Sequence, residues 1–193
     1  MLPKLVLGSQ SPRRAELLKA LGLDFRQVSS DIDESYPASL KGAEISDFIA
    51  QAKADSLIGQ LDDDELLICS DTIVCLADQV LGKPADYQQA KGMLQSLSGQ
   101  SHYVISSICF SDKKQSKVVH DSTEVFFKEL RESEIDYYLE NFQPYDKAGA
   151  YGIQEWIGMI GIEKIIGSYF TVMGLPTHLI SEQLKAWKAL PMG

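Results

Sequence analysis

The chain contains no long apolar run and begins with nothing that resembles a secretory signal. No stretch of its 193 residues is long and apolar enough to cross a bilayer. The N-terminal segment has one lysine and a short apolar run that Gly8 interrupts, unlike the continuous apolar region of a signal peptide. We therefore expect a soluble protein of the cytoplasm.

Cysteine and histidine are also scarce. The three cysteines, Cys69, Cys75 and Cys109, all lie in apolar, strand-like runs, and no pair has the spacing of zinc ligands. An odd number of cysteines does not suit a disulfide framework, so reduced thiols in the core are expected. The three histidines are far apart and form no helical metal motif.

Positive charge is in short supply, since the formal net charge is −9. This balance argues against a general nucleic-acid-binding protein, which needs a basic face. The apolar content of 45% is ordinary for a globular protein, so a sizeable core is expected. The length suits one large domain or two closely joined lobes, and there is no repeat, low-complexity tract or flexible linker.

Hydrophobic periodicity predicts alternating strands and helices, followed by a cluster of strands. Strands are predicted over 5–7, 24–29, 66–76, 102–110 and 117–128. Residues 79–84 are predicted to be the return of a hairpin that ends in a loop presenting Lys83, and the glycines of 157–166 indicate bulged or tightly approached strands. Helices are predicted over 12–21, 43–58, 87–97, 133–139 and 177–190. This order predicts an α/β protein with a mixed, twisted β-sheet flanked by helices.

Two arginines stand at the predicted start of the first helix. Ser11 suits the N-cap and Pro12 the first helical position, so Arg13 and Arg14 fall in the first turn. Cations are unfavourable there because the helix dipole is positive, unless an anion binds between them. Either both arginines are solvated or they bind a phosphate or carboxylate. In both cases we expect their removal to leave the melting temperature unchanged or slightly higher.

Asp71 interrupts an apolar strand and has no partner nearby in the sequence. Burial of an unpaired carboxylate costs several kcal/mol, so Asp71 must be paired, bound to metal or placed at an opening. The alternative is a strand end at which Asp71 caps a turn. Because the substitution relieves a desolvated carboxylate, replacement of Asp71 by asparagine should leave the fold intact or stabilise it.

Other charged side chains are ambiguous from spacing alone. Glu34 lies in an acidic stretch, 31–34, that is typical of a solvated loop. Lys53 flanks the apolar stripe of helix 43–58, formed by Ile45, Phe48, Ile49, Ala52 and Ser56, so its ammonium either reaches a cleft or is solvated. Glu124 is either a second acidic group near a site or a solvent-facing carboxylate.

Short motifs in this chain closely resemble those of the Maf family of nucleotide pyrophosphatases, in the same order. They are SQSPRRAELL at 9–18, SDTIV at 70–74, GKP at 82–84, LSG at 97–99, DKAGAYGIQ at 146–154, GSY at 167–169 and GLP at 174–176. Each is weak by itself, but the ordered set is specific and spans almost the whole chain.

The resemblance implies a fold and a reaction. It implies a single domain over 1–193 of the Maf and ITPase-like type, in which two lobes flank a nucleotide cleft and the sheet runs through both. It also implies hydrolysis of a nucleoside triphosphate to the monophosphate and diphosphate. Water attacks the α-phosphorus with the help of Mg²⁺ or Mn²⁺. A homodimer is implied as well.

The resemblance also implies roles for individual residues. Asp71 is the implied general base, and Glu34 and Asp71 are the implied metal ligands. The implied substrate-binding residues are Ser9, Arg13, Arg14, Lys53, Thr72, Lys83, Lys147 and Gln154. Arg13 and Thr72 match positions that the family uses for specificity.

The motif at 146–154 resembles the branch of the family that acts on dTTP and UTP. The Gln154 amide matches the N3–H and the adjacent carbonyl of uracil or thymine, although its rotation leaves cytosine possible and a surface glutamine is the alternative. Ser70 and Trp156 depart from the usual pattern, and Trp156 either lines the pocket or packs. Two further functions stay open: nucleotide or partner binding without turnover, linked to septum formation, and hydrolysis of purine nucleotides such as ITP.

Overall fold

A mixed β-sheet with seven strands is the framework of residues 3–187, the part of the chain that the computed structural model describes. The strands are β1 Lys4–Gly8, β2 Phe25–Val28, β3 Glu65–Leu76, β4 Gln79–Leu81, β5 Ser101–Ser111, β6 Ser116–Phe127 and β7 Ile162–Ile166. Their order is β2-β1-β3-β5-β6-β7, and β4 pairs with β3. The predicted fold class, α/β with a mixed sheet, is therefore confirmed.

Seven α-helices accompany the sheet within the same residues. They are α1 Pro12–Ala20, α2 Ala43–Leu57, α3 Tyr87–Leu97, α4 Glu132–Phe142, α5 Trp156–Gly161, α6 Tyr169–Met173 and α7 Thr177–Ala186. Helix α3 has the predicted bounds, because the Asp86 carboxylate caps it by accepting from Gln89 N at 2.8 Å. None of these helices is long and apolar enough to span a membrane, within the described part of the chain.

Strands β1, β2 and β3 form a parallel part of the sheet, and β4 adds an antiparallel pair to β3. Strand β1 pairs in parallel with β2 on one side and with β3 on the other. Strand β3 is buried along nearly its whole length, which agrees with its continuous apolar run. It then turns back into β4, whose antiparallel register pairs Val74 with Leu81.

The chain divides into two compact units, each with its own apolar core. Within the described residues, the first unit contains 3–71, 106–121 and 174–187, and the second contains 72–105 and 122–173. Val6, Ala54 and Leu67 belong to a core cluster of the first unit. The core of the second unit includes Leu94 and Tyr138. The single domain over 1–193 and its nucleotide cleft remain predictions.

Four helices differ from their predicted bounds, and two of them, α1 and α2, simply end one residue earlier than predicted. Helix α4 spans Glu132–Phe142 rather than 133–139. It begins at Glu132 because the Glu134 carboxylate accepts from the backbone N of Arg131, the N-cap residue, at 2.9 Å. Helix α7 agrees with the predicted 177–190 up to Ala186, and the end of that prediction lies outside the described residues.

The irregular strands predicted over 157–166 are wrong in their first half, which is helix α5. A Cβ on Gly158 would lie 2.0 Å from the Ile153 carbonyl oxygen, so this glycine lets the short helix pack directly on the preceding backbone. Of the two alternatives for these glycines, a bulge or a tight approach, Gly158 shows the tight approach, but in a helix rather than a strand. Within 157–166, only Ile162–Ile166 forms a strand.

The buried face of α2 also differs from the predicted one. Phe48 is 42% exposed and Ser56 is exposed, whereas Ser46 and Lys53 are buried. Ser46 can be buried because its hydroxyl bonds that of Ser107 at 2.7 Å. The helix therefore turns a partly polar face inwards, which an apolar stripe cannot reveal.

Glu65, at the start of β3, should make stability depend on pH. Arg26 donates to both of its carboxylate oxygens at 2.6 Å, which lowers the pKa of Glu65 from its ordinary 4.5 to about 2. The ionised pair contributes stability above pH 4.5, and this contribution is lost as the pH falls from there towards 2. We expect Glu65→Gln to remove this part of the acid dependence.

Urea unfolding of wild type and Glu65→Gln at pH 6 and pH 3 measures the effect. The same substitution at Glu16, which is exposed on α1, serves as the control. The stability difference between wild type and Glu65→Gln should shrink at pH 3. A difference that is equal at both pH values would contradict the prediction.

Candidate functional site

Helix α1 begins at Pro12, as the sequence predicts, and the two arginines of its first turn, Arg13 and Arg14, are partly buried rather than exposed. Ser11 is the N-cap residue, and no acidic residue lies in the first turn. The Ser11 hydroxyl does not cap the helix. Instead, Ser11 N donates to Ser9 Oγ at 3.2 Å, so buried Ser9 shapes the loop before the helix.

Arg14 holds two backbone carbonyls that are distant in sequence. Its Nε donates to Gly174 O at 2.9 Å and its Nη1 donates to Ser70 O at 2.8 Å. Ser70 Oγ donates to the same Gly174 oxygen at 3.2 Å, so the hydroxyl at this unusual position is satisfied. Burial lowers the pKa of Arg14, and the nearby Asp71 carboxylate partly opposes this shift.

This geometry contradicts one expectation for Arg14. Its guanidinium joins α1 to β3 and to the GLP motif through the fork geometry that arginine provides. Removal of Arg14 should therefore lower stability, not leave it unchanged. This role could not be predicted from the sequence, because both carbonyl partners lie far from Arg14 along the chain.

Asp71 lies inside β3 and has an ion-pair partner on α2. Lys53 Nζ is 2.7 Å from Asp71 Oδ1 and 2.8 Å from Glu34 Oε1. Asp71 is 7% exposed and Lys53 8%. Of the three arrangements open to this carboxylate, paired, bound to metal or at an opening, the structure shows the paired one. Because Asp71 has this buried partner, we now expect its replacement by asparagine to lower stability rather than leave it unchanged or higher.

The structure thus brings together three of the predicted residues, Glu34, Lys53 and Asp71. The two carboxylates converge on one ammonium nitrogen. Carboxylate oxygens are the ligands that Mg²⁺ and Mn²⁺ prefer. Within residues 3–187 no group of three acidic, histidine or cysteine side chains is arranged to hold a metal. Because Mg²⁺ commonly binds one or two carboxylates together with substrate phosphates, Glu34 and Asp71 fit such an ion.

In the second unit, the loops that carry Lys83 and Lys147 are joined by their backbones. Gly149 N donates to Gly82 O at 3.1 Å, which links the glycine-rich run to the GKP motif. Lys83 is exposed, whereas the Lys147 side chain is only 10% exposed. Thr72, the residue that follows Asp71 on β3, also belongs to this unit and is partly buried.

Lys147 is paired with two carboxylates, one of which sequence analysis missed. Its Nζ lies 2.7 Å from Asp146 Oδ1 and 3.0 Å from Glu155 Oε1. The other oxygen of Glu155 accepts a short hydrogen bond from the hydroxyl of buried Tyr138. Glu155 follows the recognised motif directly, so its position was the only sequence signal for this role.

The remaining residues that the sequence singled out have different surroundings. Gln154 is partly buried at the end of the glycine-rich run. Trp156 packs on Tyr137, with ring centroids 4.7 Å apart, which supports the packing alternative. Glu124 is partly buried on β6, opposite Ile166 of β7. All three cysteines are free and buried, as expected.

Fold and site together define an α/β protein in which a helix start and a buried carboxylate–ammonium cluster adjoin the central strands. One solved structure, the Ham1 protein of Staphylococcus aureus, has this fold: the TM-score is 0.54 and the identity 15%, over 95% of this chain and 98% of that one. At this identity the likeness concerns the fold alone.

The chain belongs to the Maf family, because the family model described as Maf-like protein matches residues 4–187. A relative from Flavobacterium psychrophilum is 50% identical over 177 residues, covering 92% of this chain and 91% of the relative. Another, from Parabacteroides distasonis, is 49% identical over 183 residues, covering 94% and 95%. Both relatives are named dTTP/UTP pyrophosphatase.

Proposed function

We propose that this protein hydrolyses dTTP and UTP to the nucleoside monophosphate and diphosphate. The observation that carries the proposal is the Asp71 carboxylate, buried in mid-strand and held by Lys53. It occurs in a chain that is half identical to a protein named dTTP/UTP pyrophosphatase. A protein that only binds nucleotides has no need of a carboxylate embedded in this way.

In this proposal, Asp71 takes the proton from the water that attacks the α-phosphorus, and the diphosphate leaves. Lys53 fixes Asp71 Oδ1, which orients the carboxylate for this transfer. Arg13, at the positive end of α1, binds phosphate oxygens together with the helix N-terminus. Glu34 and Asp71 hold a divalent cation, Mg²⁺ or Mn²⁺, which supplies neutralisation of the phosphate charge.

Lys83 and Lys147 contribute further positive charge for the phosphates, and Gln154 reads the base in this proposal. A carboxamide offers both a donor and an acceptor to the N3 and carbonyl edge of uracil or thymine. Thr72 contributes to the same specificity. A homodimer and a cytoplasmic location also belong to the proposal.

A panel of nucleoside triphosphates tests the function. Pyrophosphate release is measured with dTTP, UTP, CTP and ITP in the presence of Mg²⁺ or Mn²⁺, and again after chelation. We expect dTTP and UTP to be preferred and activity to require the ion. Preference for ITP would favour the purine enzyme, and binding of UTP without turnover would favour the nucleotide-binding protein.

Replacement of Gln154 by glutamate should impair dTTP and UTP hydrolysis selectively. The carboxylate accepts hydrogen bonds but cannot donate to the base carbonyl, so we expect a loss of about 1–3 kcal/mol in transition-state binding. The value follows from kcat/KM for each nucleotide. Gln143→Glu, at the exposed C-cap of α4, is the matched control. Equal losses for all bases would show that Gln154 does not read the base.

A further inference from the structure

The hydroxyl of Tyr138 links three parts of the second unit. Tyr138 is fully buried on α4, and its hydroxyl donates to Glu155 Oε2 while accepting from Gly152 N at 3.1 Å. Burial, with the hydrogen bond to Glu155, raises the pKa of Tyr138 well above its ordinary value. The hydroxyl therefore stays protonated and remains a donor to the carboxylate.

Glu155 also contacts Lys147 and the turn that carries Gln154. Its second oxygen lies 3.0 Å from Lys147 Nζ, and its backbone N donates to Gly152 O at 3.0 Å. The Glu155 side chain is 19% exposed, so its charge is mostly removed from water. A carboxylate that is mostly removed from water is stabilised by both partners, Tyr138 and Lys147, and it restricts the positions of their side chains.

Gly152 brings the Gln154 amide next to this carboxylate. A Cβ built on Gly152 would lie 2.9 Å from Glu155 Cδ and 3.0 Å from Gln154 Nε2. Both side chains therefore pack against the same glycine, and any larger residue would displace one of them. The amide thus rests beside a carboxylate whose position Tyr138 determines.

We propose that Tyr138 and Glu155 are positioning residues that fix the Gly152–Gln154 turn and Lys147, and so set the base selectivity of the site. This inference rests on the proposed function, since Gln154 is the residue that contacts the base there. An amide that rotates freely accepts cytosine as well as uracil. A turn held at Gly152 and Glu155 restricts the orientations of the amide.

Tyr138→Phe tests the proposal because it removes only the hydroxyl. We expect the ratio of kcat/KM for UTP to that for CTP to fall by about fivefold or more, as a misplaced polar group loses its discrimination. Tyr137→Phe is the same change one residue earlier, at a side chain that is 48% exposed, and should leave the ratio unchanged. Thermal melting is recorded on each preparation.

The ratio separates positioning from stability. A merely structural role would lower the folded fraction and reduce both activities equally, so an unchanged ratio in folded Tyr138→Phe overturns the proposal. If this variant does not fold, Glu155→Ala takes its place and should lower the ratio likewise; an unchanged ratio overturns the proposal there too. A wild type that releases no pyrophosphate from UTP would instead overturn the proposed function.

Glu155→Gln tests the second part, the hold on Lys147. The amide keeps the shape and an oxygen for Tyr138, but it loses the charge that attracts the ammonium. We expect KM for UTP and CTP to rise together, by about three- to tenfold, because Lys147 then keeps only the Asp146 carboxylate, whose side chain is 60% exposed, and its ammonium is held less firmly. An unchanged KM for both nucleotides overturns this part.

Discussion

Replacing Asp71 by asparagine is expected to slow pyrophosphate release from UTP by about 10²–10⁴-fold. Asparagine keeps the shape of the side chain but cannot accept a proton from water. It also withdraws one of the two carboxylates that converge on Lys53. The loss should appear in kcat, measured with saturating UTP and divalent cation.

The same substitution should lower stability moderately. Lys53 keeps Glu34 as a partner, so the cost is expected to be about 1–3 kcal/mol, below that of a fully unpaired buried charge. Asp55→Asn, an exposed change of the same kind on α2, is the control for both measurements. Near wild-type turnover in folded Asp71→Asn would remove Asp71 from the mechanism, and an unfolded variant would make its role structural.

Removal of Arg14 is expected to lower the unfolding free energy by about 2–4 kcal/mol, since its two hydrogen bonds to backbone carbonyls and a longer one to Ser9 Oγ at 3.4 Å are lost. The carbonyls of Ser70 and Gly174 lose this donor in a buried setting. Arg14→Ala therefore tests the tertiary role of a residue that sequence analysis placed at a phosphate site. Chemical denaturation measures the change.

Arg14→Lys distinguishes the fork from the charge. Lysine keeps the positive charge but cannot reach both carbonyls in a planar arrangement, so most of the stability loss should remain. Lys19→Ala, on the exposed side of α1, should change stability by no more than about 0.5 kcal/mol. Full stability of Arg14→Lys would contradict the prediction. A rise in KM for UTP, measured well below the melting temperature, would support the additional phosphate role.

Much of the backbone could be predicted from local pattern. The continuous apolar run predicts β3, and the stripe bounded by Asp86 and Ser98 predicts α3, because burial imposes a period on each element. A carboxylate within such a run also stands out, so Asp71 could be singled out without a structure. The ordered motifs were sufficient to predict the Maf family.

The partners of the polar groups could not be predicted in this way. Lys53 meets Asp71 across 18 residues of chain, and Arg14 reaches carbonyls 56 and 160 residues away. Periodicity indicates which apolar residues of an element are buried, although it misplaced the buried face of α2, and it does not show which group of another element meets that face. The glycines of 157–166 illustrate the same limit, since close approach looks alike in a helix and in a strand.

The sequence by itself therefore determined the α/β pattern, the family and the identity of the acidic group, because burial and motif order are written along the chain. Only the tertiary structure decided that Arg14 clamps two carbonyls, that Lys53 bridges Glu34 and Asp71, and that Tyr138 holds Glu155. Each of these depends on a buried polar group finding its partner on another element. The sequence shows that a buried polar group needs a partner, but only the folding of the whole chain decides which partner group lies within hydrogen-bonding distance.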